Sequence, residues 1–207
     1  MGLQDENGNG QVRMKLTIGE HAGFCFGVRR AVLKAFECAE KQLPCVTLGP
    51  LIHNPQEVER LRQAGIRSVD SLDEVASGET VIIRSHGVTP EVYAQCEARG
   101  IPVIYATCPH VAHIHQLVQA YSEDGGAVVI VGEADHPEVV GIAGWAHGAV
   151  FILPDAHAAE EADLPERAMV VAQTTIRRDR FESVLQVLRR RVPNLTERMT
   201  ICAATSQ

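Results

Sequence analysis

The chain has 207 residues, 45% of them hydrophobic but only 4% aromatic, and Asp plus Glu outnumber Lys plus Arg by 26 to 19. That length suits one large or two small α/β domains, and the acidic balance excludes a general polyanion-binding surface, so an anionic ligand needs a local pocket. No run approaches the ~20 apolar residues that would span a bilayer.

Residues 1–14 open with MGLQDENGNGQVR, which is polar and Gly-rich with no apolar core. They are expected to form a disordered leader and not a secretory signal. A cytoplasmic protein follows, whose six cysteines read as ligands or thiols and not as disulfides.

In chain order, a strand is expected at 16–18, then a loop, GEHAGFC, and a helix over 27–42 with Val28, Val32, Leu33, Ala35 and Phe36 on one face. A strand at 45–48 is broken by Gly49-Pro50, and Asn54 caps a helix over 55–64. A short run at 66–69 precedes a helical turn at 72–76, a strand at 81–84 ending in SHGV, and a helix over 90–99. The strand at 102–106 runs into Cys108, and Pro109 opens a helix reaching about 123. A continuous apolar strand at 127–131 leads into GEADHPEVVG. Strands at 150–153 and 168–172 flank a helix near 156–162, and an amphipathic helix over 178–191 is stopped by Val192-Pro193. A strand at 199–201 then leads to Cys202, five residues before the end of the sequence.

Strands alternating with long helices, and apolar runs without period-two alternation, specify parallel βαβ units covered on both faces. Three segments share the order strand, cysteine, helix start: LTIGEHAGFCFGV, VIYATCPHV and MTICAAT, with their cysteines 83 and 94 residues apart. Each interval holds a small α/β unit, which gives lobes at 15–107 and 108–201 and the start of a third at 202–207.

Cys38, Cys45 and Cys96 fall inside helices or at a strand start and read as small buried hydrophobes. Cys25, Cys108 and Cys202 fall instead at strand ends, where ligands bind in open α/β sheets. A helix N-terminus at Cys108 favours a thiolate, the form that ligates metal. Three thiolates suit zinc or an iron–sulfur cluster, although no C-x-x-C pattern marks either.

His53 (IHNP), His86 (RSHGV) and His136 (ADHPEVVG) each follow a strand, where imidazoles and helix-start N–H groups can cradle a phosphate; the bland alternative is helix capping. Glu138, beside His136, can donate a proton if burial raises its pKa; otherwise it is a solvated helix-start glutamate. Gln173-Thr174-Thr175 offers hydroxyls at another strand end or simply an N-cap. His110, His113 and His115 crowd one helix, with solvent expected for at least one, and His21, His147 and His157 receive no role.

The motifs GFCFGV, IHNP, RSHGV, ATCPHVAHIH, DHPEVVG, AQTT and ICAAT, taken in order, resemble those of the 4-hydroxy-3-methylbut-2-enyl diphosphate reductase (LytB) family. The resemblance implies a trefoil-like α/β fold, with parallel βαβ lobes in pseudo-three-fold arrangement around a 4Fe–4S cluster. It implies reductive removal of an allylic hydroxyl to give isopentenyl and dimethylallyl diphosphate, the last step of the non-mevalonate pathway. Carried over by motif, Cys25, Cys108 and Cys202 hold the cluster, and His53, His86 and His136 bind the diphosphate. Glu138 supplies a proton with Thr174 and His136 near the relay, and a ferredoxin or flavodoxin brings electrons. Two departures stand out: the third lobe is largely absent after Cys202, and Val140 occupies a position where the family usually has Glu. A non-catalytic two-lobe homologue and a quinolinate synthase-like cluster enzyme are the competing readings.

Overall fold

The structure, a computed structural model, describes residues 23–205. The expected leader, the strand at 16–18 and His21 lie outside the described residues.

Two parallel four-stranded sheets account for every described strand. The first contains β1 (Cys45–Leu48), β2 (Arg67–Val69), β3 (Thr80–Ile83) and β4 (Val103–Tyr105) in the order β2-β1-β3-β4. The second contains β5 (Ala127–Val131), β6 (Val150–Leu153), β7 (Arg167–Ala172) and β8 (Asn194–Glu197) in the order β6-β5-β7-β8. Counted within each sheet, both orders are the same, and all six strand pairings are parallel. The repeat legible in the cysteine spacing is therefore a repeat of topology.

Helices connect the strands: α1 (Phe26–Glu40), α2 (Pro55–Gln63), α3 (Pro90–Ala98), α4 (Pro109–Ser122), α5 (Pro137–Gly144), α6 (Ala156–Glu161) and α7 (Arg178–Arg191). Four of them, α2 to α5, begin with proline, whose missing N–H is no loss in a first turn. The residue before each proline is thus fixed at the helix threshold: Asn54, Thr89, Cys108 and His136. The Asn54 side chain accepts from the Glu57 N–H at 2.9 Å, the cap its sequence position predicts.

The cores follow from strands buried on both faces. Along β5, Val128 and Ile130 pack with Ile114 and Val118 of α4 and with Val139 and Ile142 of α5. Ala127, Val129 and Val131 face the other way, onto Phe181, Val184 and Leu188 of α7. Each such Val or Ile contributes roughly 1.5–3 kcal/mol by leaving water, so a charge anywhere on this strand is excluded. In the first sheet, Ile82 packs beneath α1 and α2 while Val81 and Ile83 face Val88 and Cys96.

One expected strand is corrected. The last strand is β8, Asn194–Glu197, and not 199–201. As an edge strand it needs only one apolar face, so NLTE serves although it lacks an apolar run. At 199–201 the chain is irregular, and Thr200 replaces a ladder pair: its Oγ1 accepts from Ala172 N–H and donates to Ala172 O, both at 2.7 Å. Cys38, Cys45 and Cys96 are buried hydrophobes, as their positions predict.

Candidate functional site

Parallel strands end together, so the loops beyond their carboxyl ends collect in one place. His53 is the fifth residue beyond β1, and His136 is the fifth beyond β5. His86 is the third beyond β3. These three imidazoles meet across the seam between the sheets, with ring centroids 4.4 Å (His53–His86), 5.3 Å (His53–His136) and 5.6 Å (His86–His136) apart. The His86 pKa is pushed down to about 3, mainly by burial, and further by His53, His136 and Arg84. Its Nδ1 is buried without a hydrogen-bond partner. Burial, with the neighbouring His53, also lowers His136, against a smaller upward pull from Glu133 and Asp135. His136 Nδ1 accepts from the Glu138 N–H at 3.1 Å, so the ring can present only Nε2–H to a ligand. Burial disfavours a positive charge on His86 and His136, and an anion arriving here would give the buried His86 Nδ1 its missing partner.

Glu138 lies one step inside the first turn of α5 and is 2% exposed. Its Oε1 accepts from the Thr174 N–H at 2.5 Å and its Oε2 from the Thr174 hydroxyl at 2.8 Å. Burial raises its pKa, and the two bonds from Thr174 oppose the rise without cancelling it. The condition that sequence alone left open, burial that raises the carboxyl pKa, is met. Gln173 braces the same strand end, accepting from Glu133 N–H at 3.1 Å and donating to Thr175 Oγ1 at 2.9 Å.

Cys25 is the N-cap residue of α1 and Cys108 that of α4. The two helix starts touch: a β-carbon at Gly27 would stand 2.5 Å from the Cys108 sulfur. Arg30 ties α1 to the end of β4 by donating to Thr107 O at 2.9 Å. Cys202 is held from the other sheet, its N–H donating to Thr174 O at 2.9 Å. Cys25 and Cys202 both lie close enough to raise the Cys108 thiol pKa, after burial, which is the larger cause. This corrects the expectation of a thiolate at Cys108: the α4 N–H groups of His110 and Val111 do favour the anion, but burial outweighs them. Among the described residues no three His, Cys, Asp or Glu side chains gather tightly enough for one metal ion. Three thiols facing one space, none in a disulfide, fit the wider footprint and soft ligation of an iron–sulfur cluster better than a single ion.

Two side chains that sequence reading passed over support this arrangement. His115 is 4% exposed and stacks on Trp145 at 5.3 Å and 16°. Trp145 in turn donates from Nε1 to Val88 O at 2.9 Å. Burial lowers the His115 pKa to about 4, and its ring fills the space over Gly87, next to His86. His110 and His113, its neighbours in sequence, are exposed. The second is Arg84, two residues before His86, whose guanidinium crosses the Gly49 backbone. A helix-period count was the only available signal for His115, and none marked Arg84.

Paired parallel α/β lobes here carry imidazoles, a buried carboxyl and three thiols at their strand ends, groups whose chemistry suits a small anion and a soft metal centre. Comparison with known proteins gives this arrangement its family: the LytB protein family model matches residues 16–207, and the chain belongs to that family. Similar curated proteins, each named 4-hydroxy-3-methylbut-2-enyl diphosphate reductase, include one from Caldanaerobacter subterraneus subsp. tengcongensis, 39% identical over 94% of this chain and 69% of its own length. The Aquifex aeolicus protein is 43% identical over 92% of this chain and 67% of its own. A solved structure described as (E)-4-hydroxy-3-methyl-but-2-enyl diphosphate reductase, the terminal enzyme of the non-mevalonate pathway, superposes with a TM-score of 0.80 at 42% identity. It matches over 91% of this chain and 68% of that one. The reductase from Plasmodium falciparum gives a TM-score of 0.85 at 26% identity, covering 90% of this chain and 60% of its own. The chain thus spans about two thirds of the length of its curated relatives. Among the described residues, no helix is long and apolar enough to cross a membrane.

Proposed function

We propose that the chain is an oxidoreductase of isoprenoid biosynthesis that converts (E)-4-hydroxy-3-methylbut-2-enyl diphosphate to isopentenyl and dimethylallyl diphosphate. The observation that carries the reading is the meeting of three imidazoles with a buried, hydrogen-bonded carboxyl group at one set of strand ends. His53, His86 and His136 bind the diphosphate as donors, and binding relieves the unpartnered His86 Nδ1. Cys25, Cys108 and Cys202 hold a 4Fe–4S cluster. When bound, that cluster supplies two electrons, one at a time, and an open iron site acting as a Lewis acid.

The overall change consumes two electrons and two protons: the allylic C–O bond breaks, a C–H bond forms and water leaves. Glu138 carries a proton at its carboxyl group for the departing hydroxyl, since burial shifts its pKa in the direction that favours the acid form. Thr174 holds that carboxyl in place from both of its oxygens, and His136, hydrogen-bonded to the Glu138 N–H, joins relay and diphosphate site in one turn of helix. Burial of Glu138 also keeps bulk water from exchanging its proton. Electrons arrive from a ferredoxin or flavodoxin in the cytoplasm, and residues 15–107 and 108–201 act as two lobes with Cys202 opening a third.

The test is anaerobic reconstitution with iron and sulfide, followed by turnover of the allylic diphosphate with a reduced viologen. A brown protein that forms both isoprenoid diphosphates is expected. A protein left colourless, or one that is coloured yet inert, refutes the assignment in favour of a non-catalytic homologue.

A further inference from the structure

Arg84 directly follows β3, and its guanidinium lies against the loop that leaves β1: a β-carbon on Gly49 would stand 2.6 Å from Nη1. Gly49 has a φ of +69°, so both its conformation and this close approach require glycine. The Arg84 Nε is buried without an acceptor, and no described carboxylate forms an ion pair with the guanidinium. Asp70 shares the cavity rim but is exposed and does not reach it. That cavity, about 300 Å³, lies between the loops of the first sheet and the first turns of α5, with Val88, Pro137, Val140 and Gly141 in its walls. A guanidinium stays protonated even when burial lowers its pKa, as it does here. Arg84 is half-buried, and partly desolvating a cation without a counter-ion costs free energy that no contact of the guanidinium visibly repays. The charge therefore awaits an anion. Its field reaches the histidine cluster, since Arg84 is among the groups that depress both His86 and His136.

We propose that Arg84 is a fixed cation behind the three imidazoles that sets the affinity of the site for a diphosphate group. The imidazoles supply hydrogen bonds, and Arg84 supplies charge without occupying their places. The inference rests on the diphosphate reading of His53, His86 and His136.

It is tested by calorimetric binding of inorganic diphosphate to the purified chain, without metal, at low and high salt. Replacing Arg84 by Gln is expected to weaken binding about tenfold or more at low salt, the order expected when one full charge near an anion is lost at an effective dielectric near 20. It should also flatten the salt dependence, while Arg84→Lys retains most of both. Asp70→Asn removes the exposed carboxylate on the rim of the same cavity and leaves Arg84 in place. It should strengthen binding, which guards against an Arg84→Gln protein that merely folds badly. If His53→Asn abolishes binding while Arg84→Gln and Asp70→Asn leave affinity and salt dependence unchanged, Arg84 has no such role. If the unaltered chain fails to bind diphosphate, or His53→Asn has no effect, the anion site itself is wrong and the inference falls with it.

Discussion

Glu138→Gln separates the chemistry of the site from its architecture. The amide has the shape of the carboxyl group, and both contacts survive: its oxygen accepts from the Thr174 N–H, and its NH₂ donates to the Thr174 hydroxyl, which can also accept. No buried donor or acceptor is orphaned, so the 1–3 kcal/mol that such a loss costs is avoided and the fold should stand within about 1 kcal/mol at neutral pH. What disappears is the acidic proton. General acid catalysis is worth about 10²–10⁴-fold, or roughly 3–5 kcal/mol of barrier, so turnover of the reconstituted enzyme should fall by that factor. Affinity for inorganic diphosphate should stay within about threefold, because Gln leaves the His136 contact and the three rings in place. The same substitution makes a prediction in pH. The folded state raises the Glu138 pKa above its ordinary 4.5, so its contribution to stability is complete below 4.5 and is lost as pH rises through the raised value. Wild type and variant should thus melt alike in acid, and the variant should melt higher on the alkaline side. A variant that keeps more than a tenth of the turnover, or whose melting advantage grows on acidification, refutes the reasoning.

Two other expectations concern the seam between the sheets. His86, with a pKa near 3 against an ordinary 6.5, contributes stability that is present above 6.5 and lost as pH falls towards 3. The melting temperature should drop across that window, inorganic diphosphate should offset part of the drop, and His86→Asn should flatten it; an unchanged profile in the variant contradicts the burial argument. Gly87 has a φ of +74°, and a β-carbon there would stand 2.5 Å from His115 Cε1. Gly87→Ala should cost about 2–3 kcal/mol in urea unfolding, from left-handed backbone strain plus overpacking. A loss below about 0.5 kcal/mol shows that the loop and His115 yield freely.

Much of this molecule is legible in one dimension because parallel α/β architecture writes itself locally. β5, Ala127–Val131, is five buried residues without polar alternation, and prolines at 55, 90, 109 and 137 mark helix starts to the residue. Since active groups in such folds follow strand ends, His53, His86, Cys108, His136 and Glu138 could be nominated from position alone. β8 escaped because an edge strand covered on one face carries little hydrophobic signal, and Ile201 beside Cys202 carries more.

Other properties arise only in the tertiary structure. That the three imidazoles approach within 4.4–5.6 Å depends on how two lobes dock, which no local pattern encodes. Packing within the second sheet, where β5 and β7 are neighbours, buries Glu138 against Thr174, 36 residues away, and turns a helix-start glutamate, ordinarily ionised by the helix dipole, into a group with a raised pKa. Tertiary packing also reverses the expectation at Cys108, where desolvation overrides the helix N-terminus, and it leaves Arg84 half-buried with no carboxylate to answer it. The sequence by itself determined which residues stand at strand ends, because backbone geometry and burial periodicity are local. Their protonation and partners were decided by the tertiary structure, because desolvation and Coulomb forces depend on everything that packs around a group.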